Sequence, residues 1–527
     1  MMKKILLTLL LPLLGCLGLA AGDAFYNVRN YGAAGDGVQI DSPAINAAIE
    51  AAAEAGGGTV FFPAGTYLSY SLHLRDHITL HLDRGAVLKA AVPDEEHAYD
   101  PAEPNESTFQ DFGHSHWQNS LIWGIGLHDV AIVGGGLIDG TGALSNGFGR
   151  QDRLANKAIA LKECRDVTIR DIRLLQCGHF ALLLTGVDNL TIHNVLADTN
   201  RDAFDIDCCA NVKISDCQVN TLNDDAIVLK CSYALGYPKA TENVTITNCQ
   251  VSGYDPGTVF GGTFTKNITA APDRDGPTGR IKLGTESNGG FRNITISNCT
   301  FDRCRGLAIE TVDGAVIEDL VVNNIVMREV CNSPIYVRLG NRARGPQELP
   351  HSVIRRVRIS NVSVKDADSR YASMIFGLEG HGIEDVTLSH IHIQYRGGLG
   401  LEDVTAQKGS NNFFNRDLAP GTRDPFDVPQ QEKGYPEPSS HGVLPAAAFY
   451  ISHARNVSMD HIRFEFMEKD RRPGIVLTDV EGIRLEQVSG NDCAPRFILK
   501  DVKDFVTVDV DGVKNTRISA VKQKEIK

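Results

Sequence analysis

No CxxC pair and no Cys/His spacing of metal-site type occurs among the 12 cysteines of this chain, so neither a zinc site nor a dithiol redox centre is expected. No apolar run is long enough for a permanent membrane helix; the longest, Ile5 to Leu14, falls well short of a span. Positive charge is in deficit as well. A net charge of −13 argues against nucleic acid or an anionic membrane as partner. It leaves an anionic sugar polymer open, because a cleft on an acidic protein can be locally basic. The LxxLxLxxN consensus of a leucine-rich horseshoe is missing too. Disorder is excluded by an apolar share of 42%.

What the chain does have is a short repeat. From residue 157 one pentad recurs as AIALK (158–162), ALLLT (181–185), AFDID (203–207), AIVLK (226–230), RIKLG (280–284) and AIETV (308–312). It continues through PIYVR, MIFGL, AFYIS and GIVLT to RFILK (496–500). A second strand-like run accompanies it in each repeat, as VTIRDI, LTIHNV, VKISDC and VTITNC. The first three spacings are 23, 22 and 23 residues. A turn of roughly 22 residues holding two or three short strands is the signature of a right-handed parallel β-helix, an all-β solenoid. Upstream, Ala44, Ile45, Ala48, Ile49 and Ala52 form a helical stripe. Asp41 or Ser42 caps it, Pro43 stands in its first turn and Gly56 to Gly58 end it, so a capping helix is expected over the open end. Cys217, Cys249 and Cys299 share one repeat position, where stacking would bury them as small hydrophobes.

Residues 1–24 read as an export signal: Lys3 and Lys4, an apolar stretch, then small residues. Cleavage is expected either at a lipoprotein box, with Cys16 acylated, or between Ala20 and Ala24. Residues 25–527 read as one β-helix domain, with loop insertions at 91–120, 252–279, 341–353 and 394–447.

The repeat also stacks charge. Asp202 and Asp225 precede the alanines of two successive pentads, and Asp224 stands one residue earlier on the second. Neighbouring strands lie about 4.8 Å apart, so three carboxylates crowd one face. One Asp at a corner is explained by turn hydrogen bonds; three stacked like charges are not, and crowding of this kind raises the pKa of one member. Asp202, Asp224 and Asp225 are therefore the expected catalytic residues. His179, Arg201, Lys230, Arg280, Lys282 and Glu310 flank them as expected substrate-binding residues. Asp205 and Asp207 read either as catalytic or as partners of Lys230 or Lys282. His114 and His116 belong to a polar loop and read either as surface or as functional.

At these residues the chain resembles the polygalacturonase family, glycoside hydrolase family 28, over about residues 125–500, and NVRNYGAAGDG resembles the start of bacterial members. The family's Asn-Thr-Asp motif corresponds to Asn200-Arg201-Asp202 and its paired-Asp motif to Asn223-Asp224-Asp225. Its Gly-His-Gly falls at Thr278-Gly279-Arg280 and its Arg-Ile-Lys, which grips a galacturonate carboxylate, at Glu310-Thr311-Val312; neither matches. The resemblance implies hydrolysis of α-galacturonosyl linkages in pectin with inversion. Asp224 would be the general acid, and Asp202 and Asp225 would hold and activate the water. Polygalacturonate, rhamnogalacturonan and pectic oligosaccharides stay open as substrates.

The expectation is thus an exported bacterial glycoside hydrolase, periplasmic, outer-membrane-anchored or extracellular. It would act as a monomer on a pectic polymer without metal or cofactor, and touch a membrane only through a lipid on Cys16. The rival readings are a calcium-dependent pectic lyase and a non-catalytic carbohydrate-binding β-helix.

Overall fold

The computed structural model describes residues 25–527 apart from 148, 150, 272–274, 347–348, 411–412, 416–420, 422–423, 492 and 494–495. The expected leader with Cys16 lies outside the described residues.

Three short strands make one coil. Phe180–Thr185, Asp188–His193 and Leu196–Thr199 form one such set, and Asp202–Asp207, Ala210–Ser215 and Gln218–Thr221 the next. Each strand pairs in parallel with its counterpart one coil on, and the chain winds as a right-handed parallel β-helix, the hand that parallel crossovers take. From Phe291–Asp302 onward the second and third strands fuse into long bent ones, such as Val316–Val330 and Val353–Ala367.

Period-2 alternation sends Phe204, Ile206, Ile227 and Leu229 into a continuous apolar core that runs from Val28 to Val510. Cys217, Cys249 and Cys299 are buried in it, as their shared position predicts. Outward residues of the same strands form the face that carries the acids.

Corners are set by residues in the left-handed region. Asp166, Asn189, Asn211, Asn243 and Asn293 have φ between 53° and 58°, where Asn and Asp are the tolerated non-glycine residues. Their side chains bond coil to coil: Asn189 Nδ2 donates to Asp166 Oδ1 (2.9 Å), Asn211 to Asn189 (3.1 Å), Asn243 to Asn211 (3.1 Å) and Asn293 to Asn243 (2.8 Å).

The helix Ser42–Glu54 packs over the first coil with Ile45, Ala48, Ile49 and Ala52 buried. Asp41 stands at its N-cap position, but its carboxylate accepts from Ala34 and Gly35 backbone N–H (2.8 and 2.9 Å) and so ties the helix to the preceding turn. The far end closes differently: Thr516–Ile526 pairs antiparallel with Phe497–Val508.

Two features differ from the sequence reading. The sheet pairs Lys282 with Ala308, and Glu310 with Arg338, so Glu310 lies two residues further along the coil than the repeat alignment places it. A slip of two preserves inward–outward parity, so alternation does not register it. The 394–447 insertion also contributes apolar residues of its own: Leu444 and Ala446, with half-buried Phe426 and Val428, pack on Ala308, Tyr336, Phe376 and Tyr450 of the outward face.

Candidate active site

Stacking of Asp202–Asp207 on Ile227–Cys231, with Asp205 opposite Val228 and Asp207 opposite Lys230, brings Asp202 and Asp225 to the same height. Ala203 N–H donates to Asp225 O at 3.1 Å. Carboxylate oxygens of Asp202, Asp224 and Asp225 lie within 4.8 Å of one another. Asp202 and Asp225 are 2% and 3% exposed. The Asp224 side chain, at 24%, is the member of the triad that a large substrate can reach.

Their surroundings separate the three. Burial, then the neighbouring Asp224, pushes the Asp202 carboxyl well above the usual range. Burial also acts to raise Asp225, but Lys282 and Arg280 outweigh it and the net shift is downward. Arg280 Nε donates to Asp225 Oδ1 at 2.8 Å and Lys282 Nζ lies 3.5 Å from Oδ2. Arg201 donates to Asp224 Oδ2 at 2.5 Å. The surroundings thus favour the protonated form of Asp202 and the charged form of Asp225.

The outward Asp205 pairs with Lys230 at 2.9 Å, and Lys230 also lies 3.3 Å from Glu286. Burial opposes the Lys230 charge, yet Asp205, Glu286 and Asp202 hold its pKa well above the ordinary value. Asp207 accepts from Ser232 N–H and Oγ–H (2.7 and 2.5 Å) and acts as a corner residue rather than as a lysine partner.

His114, carried by the 91–120 insertion, is 3% exposed and bridges Asp111 (2.6 Å) and Asp205 (2.9 Å) while touching Lys230. Burial disfavours its charge, but Asp111 and Asp205 prevail and its pKa lies well above the imidazole norm. His179, fully buried, stacks on Phe180 with ring centroids 4.1 Å apart, and His114 meets it edge-on at 5.9 Å. His116 faces away, stacked on Phe112.

Sequence reasoning missed Glu437 and Tyr435. Both come from the 394–447 insertion and cover Arg280 and Lys282. No local pattern marks either one. The cations they cover were expected: residues 280–282 spell Arg-Ile-Lys one coil before the position at which the motif is sought, and Arg280 and Lys282 stand among the expected substrate-binding residues.

Residues 106–257 match the family model described as Glycosyl hydrolases family 28, and residues 25–84 match Rhamnogalacturonase A/epimerase, pectate lyase-like. A probable polygalacturonase of Vitis vinifera is 26% identical over 57% of this chain and 60% of its own length. The plasmin and fibronectin-binding protein A of Streptococcus pneumoniae is 30% identical over 43% of this chain and 31% of its own. The chain therefore spans less than two thirds of the length of either curated relative. Among solved structures, the exopolygalacturonase of Thermotoga maritima superposes with a TM-score of 0.55 at 21% identity, covering 71% of this chain and 87% of that one. That last likeness is one of fold.

Proposed function

We propose that this chain, a polygalacturonase-like member of glycosyl hydrolase family 28, hydrolyses α-galacturonosyl linkages of a pectic polysaccharide after export from the cell. The observation that carries the reading is the triad: three carboxylates within 4.8 Å of one another, with burial favouring the protonated form of one and Arg280 and Lys282 the charged form of another. Hydrolysis of a glycoside needs that pair of states, one to protonate the leaving oxygen and one to take a proton from water.

Asp225 receives the proton of the attacking water. Asp224, the accessible member, faces the glycosidic oxygen and delivers the proton that oxygen takes as its bond to the anomeric carbon breaks. Asp202, adjacent and protonated at rest, supplies that proton to Asp224. The water oxygen ends as a hydroxyl on the anomeric carbon, and the proton taken by Asp225 passes to Asp202, which restores the resting state. With Asp225 on the water and Asp224 on the leaving oxygen, and no carboxylate attacking the anomeric carbon, the reaction is a single displacement, and so inverts.

Asp224→Asn should lower kcat by a factor on the order of 10² to 10⁴ with the fold intact. More than about a third of wild-type activity in that variant would remove Asp224 from the mechanism. Proton NMR of the first product should show the inverted anomer. Activity should survive a chelator. A product absorbing in the near ultraviolet would support a lyase instead, and an uncut polymer a carbohydrate-binding coil.

A further inference from the structure

The left-handed column of Asp166, Asn189, Asn211, Asn243 and Asn293 begins two coils earlier with different residues. Thr79 pairs with Ala131 and Val130 with Val167, and counting back from these pairs puts His77 and Asp129 at the first two positions of the column. Their φ values, 60° and 54°, match it. His128 stands beside them. Where later coils join through amides, these two join through imidazoles: His77 Nδ1 and His128 Nδ1 lie 3.2 and 2.9 Å from the same oxygen, Asp129 Oδ2.

Imidazole and carboxylate are ligand types of zinc. Ligand atoms held in a tetrahedron at zinc bond lengths stand about 3.4 Å apart, and both distances come close to that. One ligand atom from each of His77, His128 and Asp129 lies within 4.8 Å of the other two. The lone pair of an imidazole nitrogen lies in the ring plane. Here the two planes cross at 79° with centroids 4.6 Å apart, so the lone pairs can converge on one point. The opposite nitrogen of His128 has a partner as well: Asp76 Oδ2 lies 3.6 Å from Nε2, in the place of a carboxylate that orients a metal-bound histidine. Asp76 is itself fixed, because its Oδ1 accepts the His128 backbone N–H at 2.8 Å. A second corner trio, His390, Asp460 and His461, has the same composition. Its imidazoles are stacked, 7° from parallel at 4.5 Å, so their lone pairs lie in parallel planes and do not meet at a metal.

We propose that His77, His128 and Asp129 bind one divalent transition metal of zinc type, which clips two successive coils together near the capped end. With metal on Nδ1, each neutral imidazole keeps its proton on Nε2, where His128 points it at Asp76. His77 and His128 also bracket the segment that carries the 91–120 insertion, whose His114 reaches Asp205. A clip across so long a loop removes freedom from the unfolded chain. The triad stands at the start of the first strand of its coil, whereas this group stands at the corner before a second strand, His128–Gly134. The metal is therefore structural and takes no part in hydrolysis.

The test is calorimetric titration of the full chain, stripped with a chelator and dialysed, with Zn²⁺ at neutral pH. One tight equivalent should bind, and Tm should rise with Zn²⁺ in scanning calorimetry. His77→Ala and His128→Ala should each weaken that equivalent at least tenfold and remove the rise in Tm. Asp76→Asn should weaken it by a smaller factor, and His390→Ala should leave it unchanged. A wild type that binds no tight equivalent overturns the proposal. So does an equivalent that survives His77→Ala or is lost in His390→Ala. Should His128→Ala not fold, the half-exposed His77 decides by itself.

Discussion

Glu310 and Asp225 lie beside the same lysine, yet their shifts run in opposite directions, and the difference is measurable as stability. Glu310 keeps in the folded state a proton that the unfolded chain releases near pH 4.5. The native state then binds more protons than the unfolded one between about pH 4.5 and 7, so this residue lowers stability progressively across that window. With the folded value at about 7, the cost above it is on the order of 3 kcal/mol. Glu310→Gln should therefore raise Tm relative to wild type at pH 8 and leave it nearly unchanged at pH 4.5, as scanning calorimetry at the two pH values would show. A pH-independent difference would mean that Glu310 is ionised throughout. Asp225 has the opposite sign: its contribution is present above the unfolded carboxylate pKa and is lost as pH falls through its lowered folded value. The Asp202–Asp225 stack is legible in the sequence because 23 residues separate two copies of one pattern. Glu437 is not, since it meets Arg280 from 157 residues away on an insertion with no repeat. His114 reaches Asp205 across 91 residues in the same way.

At the scale of a strand and its corner, the left-handed Asn column links one coil to the next. Asn211 has φ 58° and bonds both ways, donating to Asn189 and accepting from Asn243. Asn211→Ala should lose both bonds and add the left-handed penalty of about 1–2 kcal/mol. Asn211→Gly should lose the bonds without that penalty, so its Tm should lie between the alanine variant and wild type; equal Tm values would refute the backbone account. Strands and their inward faces were readable from alternation and repeat length. The Ala308 pairing was not. Lys282 and Glu310 share outward parity, and only the hydrogen-bonded register distinguishes a match from a slip of two. The capping helix followed from its apolar stripe, whereas the role of Asp41 in tying Ala34 and Gly35 had no sequence signal.

For the whole molecule, a stack of parallel coils ends in unpaired strand edges, and the two ends are handled by different devices. The helix Ser42–Glu54 covers one, and the antiparallel strand Thr516–Ile526 occupies the other. Deleting residues 515–527 should expose the backbone of Phe497–Val508 as a template for a second chain. Light scattering at rising protein concentration should show association of the truncated form under conditions where the full chain stays dispersed. A truncated form that remains monomeric would show that the edge is harmless. The antiparallel closure was not legible beforehand, because the repeat that reveals the coils stops at residue 500 and the last strand carries no copy of it.

The stacked thiols have a consequence for how this protein fails. Nine cysteines among the described residues are free thiols sealed in the interior. While the coils stay closed, oxidant has little access to them. Once the chain opens in air, the same residues become nine exposed thiols able to pair in non-native combinations that block rewinding of the coil. Heat inactivation without reductant should therefore be a one-way process with a scan-rate-dependent midpoint, and the lifetime of the protein is set by its opening rate rather than by an equilibrium.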